Sequence, residues 1–517
     1  MPNSTPHRRL SVAMIMRDEA PVVAASLESV REIADEIVIL DTGSSDDGPQ
    51  IAERMGAKVF RGTWEDSFAV ARNQCLKQVS GDWVLWLDAG ERLDPHTAAE
   101  LRAFVDQAVQ LDKAYMLLVE IPPTEAGASA EQAAHVRLIP RNDALRFAGR
   151  VRESLQASLE AAGIEVELGP GRIVRHARQN DPAHRSRRAR RDLALVALET
   201  AELGHQPPRL MLAQATAHSE LEDRDQARQV YLQAAERCSR NSTEQLEAYY
   251  GMLAAMESPE LHQLQISTCL QALEIFPLDA QLLLAMGSYL QRSNRLPLAA
   301  RSFEIALQHG VVDMQSWHLR ELGEVASICL SVTLQLQGQE AQAQAVLEEA
   351  LQRRPNSIRL RRPLLDLLVK QGREGEAVLQ ANAIPVEERK RPALRNAVRG
   401  ACRAANRDWT AALGYLQSAY VEGYREPFCL RWLAVTLLCN NHIAAAVPVL
   451  REWQALEPHN PELQAYLQAI QRAGSSPAAA AGGDGKRIRL DSAQSSAEGH
   501  GDGTLLAPKA IDSVREF

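Results

Sequence analysis

The first ninety residues alternate short apolar runs with stretches of helical periodicity. The run LSVAMIM at 10–16 has the length and composition of a buried strand, and residues 20–34 then carry apolar positions at helical spacing. EIVIL at 36–40 reads as a second strand and is followed by the dense turn signal DTGSSDDG. PQIAERMGA reads as a helix, with Pro49 in its first turn and Gly56 near its end. KVF reads as a third strand, 66–79 as another helix, and DWVLWLD at 82–88 as a fourth strand. Strands separated by helical segments predict βαβ units and a mostly parallel sheet. Ligands of such sheets sit beyond the carboxyl ends of the strands, where Asp41, Asp46, Asp88 and Glu91 fall.

Near residue 185 the pattern changes to continuous helix rich in Ala, Leu, Gln and Arg. A small residue, a large one four later and a small one three after that recur: Ala227/Tyr231/Ala234, Ala299/Phe303/Ala306, Ala343/Leu347/Ala350 and Ala412/Leu416/Ala419. With a fifth copy at Ala446 and Leu450 and fainter starts at Gln265 and Ala377, most steps between these anchors are 34 or 35 residues, the tetratricopeptide (TPR) period. Each unit is expected to be a helical hairpin whose small residues let two helices approach, and 205–470 to form a solenoid of about six or seven hairpins. The step from Ala299 to Ala343 is 44 residues, so an inserted turn or lengthened helix is expected around 310–325. From residue 471 the chain is dominated by Gly, Ser, Ala and Asp; 471–517 is expected to be a disordered tail. The expected domains are 9–180 for the α/β part, 181–204 for a linker helix, and 205–470 for the repeats.

Composition narrows the function classes. Of 517 residues, 45% are hydrophobic and 24% charged, ordinary for a globular chain with a real core. A formal net charge of −9 argues against a general nucleic-acid binder, so HRSRRARR at 184–191 reads as the solvated face of the linker helix. No apolar run reaches membrane-spanning length, and Arg17, Asp18 and Glu19 interrupt what would be a signal-peptide core, so a cytoplasmic protein is expected. The seven cysteines are scattered without CxxC spacing and read as reduced, mostly buried thiols.

Three short constellations carry candidate chemistry. In LDTGSSDD, Asp41 ends a strand where its carboxylate can accept from a ribose or a base, with Gly43 in the turn and Ser44 and Asp46 nearby. Such turns are also common loop chemistry. In WLDAGE, Asp88 and Glu91 are two carboxylates at a strand end, able to hold a hard cation or simply to solvate a turn. In FAVARN, Arg72 is either a phosphate-pairing guanidinium or a surface arginine. Trp64 and Cys75 read as packing residues.

Taken together, SVAMIMRDEA, EIVILDTGSSDDG, IAERMGAKVF, DSFAVARNQCL and GDWVLWLDAGERL resemble, in order and spacing, the family 2 glycosyltransferases of GT-A fold. The resemblance is strongest to the branch that includes the bacteriocin S-glycosyltransferases, whose members often carry C-terminal TPRs. VRLIPRNDALRFAGRVRESL and IVRHARQ resemble that branch's later segments. The resemblance implies an α/β GT-A domain followed by an all-α TPR solenoid. It implies a UDP-linked sugar donor and a protein or peptide acceptor or partner on the TPR groove. Asp18, Glu19, Asp41, Gly43, Ser44, Asp46, Arg72 and Arg152 would bind the nucleotide-sugar. Asp88 and Glu153 would be catalytic, and Asp88, Glu91 and His176 would hold Mn2+ or Mg2+. The chain departs from the family where Asp-x-Asp becomes Asp88-Ala89-Gly90, where Gly-x-Val-His-Glu carries Arg152 in the histidine position, and where Asn-Glu becomes Asp18-Glu19. A catalytically degenerate domain serving as a scaffold is the alternative. A dinucleotide-binding Rossmann domain is disfavoured, because MRDEAP rather than GxGxxG follows the first strand.

Overall fold

A computed structural model describes residues 7–107, 112–123, 129–175, 182–256, 258–458 and 460–474. The chain begins with β1 (Leu10–Met16), α1 (Ala20–Val30), β2 (Glu36–Asp41), α2 (Gly48–Arg54), β3 (Lys58–Arg61), α3 (Phe68–Leu76) and β4 (Trp83–Trp86), in the order the periodicity predicts. There follow β5 (Glu91–Leu93), α4 (Pro95–Gln107), β6 (Lys113–Ile121), β7 (Glu131–Pro140), α5 (Gln156–Ala161) and β8 (Glu165–Arg175). The sheet order is β3-β2-β1-β4-β7-β6-β8-β5, and a ninth strand, β9 (His318–Leu319), pairs with β7. The β3-β2-β1-β4 half is parallel, as βαβ crossovers require. Beyond β4 the sheet is mixed, because β7 returns antiparallel to both β4 and β6.

Strand alternation builds a core on each face of the sheet. Leu10, Val12, Met14, Ile37, Ile39, Trp83 and Leu85 share one cluster with Leu27 of α1 and Leu101 of α4. Ala13, Val38, Leu40, Val84 and Trp86 share the other with Cys75 of α3. Each buried aliphatic side chain of this kind contributes roughly 1.5–3 kcal/mol. The period of two also has a consequence for the site. Asp88 lies two residues past Trp86, and so emerges on the α3 side of the sheet.

After β8 the described chain is helical: α6 (Pro182–Leu203), α7 (Pro208–Glu220), α8 (Arg224–Arg237), α9 (Thr243–Ala255), α10 (His262–Ile275), α11 (Ala280–Arg292) and α12 (Leu296–His309). These are followed by α13 (Leu322–Leu336), α14 (Glu340–Arg353), α15 (Ile358–Lys370), α16 (Glu374–Asn382), α17 (Arg391–Ala405), α18 (Trp409–Val421), α19 (Pro427–Cys439), α20 (Ile443–Leu456) and α21 (Pro461–Gly474). The repeat anchors Ala227, Ala299, Phe303, Ala343, Ala412, Leu416 and Ala446 are all 0% exposed, as the hairpin pattern demands. The helices are started by side chains: Asp223, Ser242 and Asp408 accept from the third backbone N–H of α8, α9 and α18. The segment expected to be an inserted turn or lengthened helix is instead an excursion that carries β9 into the sheet. Residues 471–474, expected to open the tail, end α21; the rest of the tail lies outside the described residues.

The chain forms two compact units, and the division is not at the expected boundaries near 180 and 205. One unit holds Met1–Tyr289 and Gln308–Leu322, so that α6 to α10 and β9 go with the sheet. The other holds Leu290–Leu307 and, among the described residues, those from Gly323 to Gly474. In the second unit α17 and α18 approach closely at Gly400, where a Cβ would lie 2.6 Å from Leu416 Cγ and 3.1 Å from the Ala412 carbonyl oxygen. Gly400→Ala is therefore expected to cost about 1–3 kcal/mol by overpacking. A circular-dichroism melt unchanged from the wild type would show that the hairpin yields at no cost.

Candidate functional site

The loops after β1 and β2 are stapled to each other by the acidic residues that the sequence singles out. Asp18, at φ +56°, accepts from Ser45 N at 2.7 Å and from Ser45 Oγ at 2.9 Å, and its own N–H donates to Ser44 Oγ. Ser45's backbone and hydroxyl hydrogen bonds hold the Asp18 carboxyl below its usual range. Asp46 accepts from Ala20 N and Gly48 N, at the starts of α1 and α2. Asp41 is 1% exposed; it accepts from Ser44 N at 3.0 Å and from Arg61 at 2.8 Å. Gly43 occupies the turn between them at φ +105°. These carboxylates therefore fix the loops. From this region Arg17, Glu19 and Thr42 line the adjoining cavity, whereas Asp18, Asp41, Gly43, Ser44 and Asp46 are not in its wall.

That cavity, about 1120 Å³, holds the chemistry. Ser67 caps α3, which places Arg72 one turn in, 4.5 Å over the Trp86 ring and 5.2 Å from the Phe147 ring. Arg72 forms ion pairs with Asp88 at 3.1 Å and with Glu153 at 2.5 Å. Asp88 also accepts from Trp86 Nε1 at 2.9 Å and Arg137 at 3.2 Å. Burial would raise the Asp88 carboxyl, but Arg72, Arg137 and Arg175 outweigh it and hold the group well below the usual carboxylate range. Glu91 is 2% exposed and accepts from Arg137 at 2.8 Å, Arg175 at 3.2 Å and the Asp88 N–H at 3.0 Å. Asp88, Arg72, Glu91, Glu153, Arg152 and Glu19 thus meet on one cavity. Arg152 stands at φ +50°, which costs a side-chain-bearing residue roughly 1–2 kcal/mol, and pairs with Glu247 of α9 rather than standing free for a phosphate.

The helices following the sheet form the opposite wall. Glu199 of α6 accepts from Arg150 N at 2.7 Å and pairs with Arg209 of α7, pinning the 149–153 loop. The basic stretch of α6 is a solvated face only in part: Arg187, Arg190 and Arg191 are exposed, but Arg188 pairs with the buried Glu220 and Arg191 lies 4.7 Å over Phe68. Both arginines line the cavity, as does Trp64, which is more than a packing residue. Arg137 and Arg175 were missed by the sequence reading. Arg137 was visible only as one of several polar residues of β7, beside its apolar end Leu138–Ile139, and Arg175 closes β8. Gln315, Ser316 and Trp317 were flagged only by the overlong repeat step.

A divalent cation does not fit the described carboxylates. Glu91, expected as a ligand, has both oxygens engaged by guanidinium and backbone donors. Asp88 faces two arginines and an indole N–H. Gly90, where the family has its second aspartate, sits at φ +91° and donates its N–H to Ser26 Oγ, a conformation that side-chain-bearing residues resist. Among the described residues no group of three or more His, Cys, Asp or Glu converges to hold a metal. His176 lies outside the described residues.

The N-terminal segment resembles known proteins. The Glycosyl transferase family 2 model matches residues 11–111. A TPR repeat-containing protein of Synechococcus elongatus is 36% identical over 173 residues, which are 32% of this chain and 42% of that protein. An uncharacterized glycosyltransferase of Rickettsia conorii is 35% identical over 104 residues, 19% of this chain and 35% of that protein. The chain therefore spans less than half the length of these curated relatives. Among solved structures, glucosyl-3-phosphoglycerate synthase from Mycobacterium tuberculosis aligns at 16% identity over 33% of this chain and 73% of its own, with TM-score 0.26. A tetratricopeptide repeat protein from Parabacteroides merdae aligns at 13% identity over 49% of this chain and 93% of its own, with TM-score 0.32. Residues 11–111 are thus the part of the chain that is similar to family 2 glycosyltransferases.

Proposed function

We propose that the protein transfers a sugar from a nucleotide diphosphate donor, a UDP-sugar, to a protein or peptide acceptor presented with the help of the helical repeats. The observation that carries this reading is the meeting of Asp88, Arg72 and Glu153 in one cavity, within and next to the segment that matches the family. In this reading the nucleoside lies against Arg17, Glu19 and Thr42 at the β1 and β2 loops. The diphosphate lies near Asp88, where Arg72, Arg137 and Arg175 neutralise its charge through forked donors. A bond forms from the acceptor's nucleophile to the anomeric carbon as that carbon's bond to the diphosphate oxygen breaks. The electron pair leaves with the diphosphate, and the nucleophile's proton passes to Glu153. A divalent cation, where the family uses one, would supply the same charge neutralisation, and no step here depends on it.

We place the protein in the cytoplasm. Its seven cysteines are all free thiols, which suits a reducing compartment. No helix among the described residues is long and apolar enough to cross a membrane.

The engagement of both Asp88 and Glu91 by arginine favours one rival, a degenerate domain acting as a scaffold. A donor-hydrolysis screen over nucleotide sugars separates the two. The wild type is expected to release UDP from at least one donor, and Glu153→Gln to slow that release by about a hundredfold or more. Absence of both hydrolysis and nucleotide binding would leave the scaffold reading.

A further inference from the structure

The edge of β7 that faces β4 is covered at its two ends and open in the middle. β4 pairs with it at Leu138, Ile139 and Pro140. β9, carried by the excursion between α12 and α13, pairs with it at Glu131 and Gln132. β6 covers the opposite edge. Beyond β9 the Ala134 N–H donates to the Met314 carbonyl, so residues 135–137 are left between β4 and the excursion, a window of about 10 Å at strand rise. The window opens on the cavity through His135, Val136 and Arg137. Asp88 borders it on the β4 side and Gln315–Trp317 on the β9 side.

The excursion is held firmly in place. Leu319 N donates to Gln281 Oε1, Gln281 Nε2 donates to the Trp317 carbonyl, and Thr243 of α9 donates to Asp313 at 2.8 Å. The Trp317 ring, 4% exposed, lies 5.2 Å from the Arg175 guanidinium and 5.5 Å from the His135 ring. Burial, reinforced by Arg137 and Arg175, pushes the His135 imidazole down to about 3, so it is neutral at physiological pH. Two enclosed polar atoms of the window have no hydrogen-bond partner among the described residues: Ser316 Oγ, on a side chain 3% exposed, and His135 Nε2. Buried polar atoms are rarely left unpaired without a ligand or water to satisfy them.

We propose that the excursion at 310–321, although it belongs to the repeat region, is a wall of the transfer site, and that Ser316 and Trp317 determine which donor sugar is accepted. The inference rests on the nucleotide-sugar reading. With the nucleoside at the β1 and β2 loops and the diphosphate beside Asp88, the group carried beyond the diphosphate enters the window. A neutral imidazole, a hydroxyl and an indole edge suit a neutral, hydroxyl-bearing pyranose. The repeat region then contributes to donor choice as well as to acceptor binding.

Calorimetry with UDP, UDP-glucose, UDP-galactose and UDP-N-acetylglucosamine tests this on the full chain. The wild type is expected to bind at least one UDP-sugar more tightly than UDP. Ser316→Ala should weaken that UDP-sugar by about tenfold, the worth of one buried hydrogen bond, and leave UDP within about twofold, whereas Trp317→Leu, which also unbraces Arg175, should weaken the UDP-sugar severalfold more than it weakens UDP. Ser316→Ala removes a single oxygen, and the melting temperature of each variant shows whether it keeps its fold. Unchanged sugar affinity in both variants, or an equal loss for UDP, overturns the inference. So does a wild type that binds UDP but no sugar better than UDP. A wild type that binds no nucleotide at all overturns the nucleotide-sugar reading and this inference with it.

Discussion

Replacing Arg137 by methionine is expected to destabilise the N-terminal unit by about 3–5 kcal/mol, the usual cost of leaving a buried charge without its partner. The Arg137 and Glu91 side chains are 6% and 2% exposed, and Arg137 is also shared with Asp88. Methionine keeps much of the volume, so the loss reports on charge more than on packing. The second substitution decides the cause: Glu91→Gln in the Arg137→Met background should recover part of the stability, because the buried carboxylate left with Arg175 alone is then neutral. A double variant as unstable as the single one would show that Arg137 acts by packing alone. The pH dependence has a defined sign. Asp88 is held below its ordinary value of 3.8, so its contribution is present above that pH and is lost as pH falls below it. The gap between wild type and Arg137→Met should therefore be widest near neutrality and narrow in acid, as thermal melts across that range would record.

What the sequence made legible follows from which signals are local. β1, β2 and β4 announced themselves as apolar runs because both faces of the sheet are buried there, so each run is continuous, whereas the edge strand β3 showed only as Val59 and Phe60 between two charges. The repeat anchors were legible because a small buried residue recurs at a fixed period, and Ala299, Ala343 and Ala412 are all 0% exposed. The carboxylates after the strands were found by position but misjudged in role. Nothing local tells Asp46, which caps the starts of α1 and α2, from a carboxylate that faces a ligand. Glu91 likewise looked like a metal ligand until Arg137 and Arg175, 46 and 84 residues away, were seen to enclose it. The excursion left only a numerical trace, a repeat step that was too long. Its destination is fixed by pairing between Gln132 and His318, which no periodicity encodes.

The charge on the bound diphosphate gives the other large expected effect. Arg175→Ala is expected to weaken UDP binding by about thirtyfold or more, and manganese is not expected to restore it. Arg175 gives its Nε to Glu91 and is braced by the Trp317 ring, so the rest of its planar fork is held in the cavity wall at little entropic cost. A charge-assisted hydrogen bond from such a group to phosphate is worth about 1.5–3 kcal/mol, which sets the size of the loss. A metal-centred site would behave otherwise. A cation bound to Asp88 would have to compete with Arg72 and Arg137 for the same carboxylate and would meet their like charges at close range. UDP affinity of the wild type should accordingly change by no more than about threefold between excess EDTA and millimolar manganese. Restoring the family's second carboxylate is a demanding test, because Gly90→Asp must bear the φ of +91° and is expected to cost about 1 kcal/mol of stability without creating a tight metal site. A tenfold or greater gain in UDP affinity on adding manganese to the wild type would refute the arginine account. It would return Asp88, with a ligand outside the described residues such as His176, to the role the family resemblance assigned it.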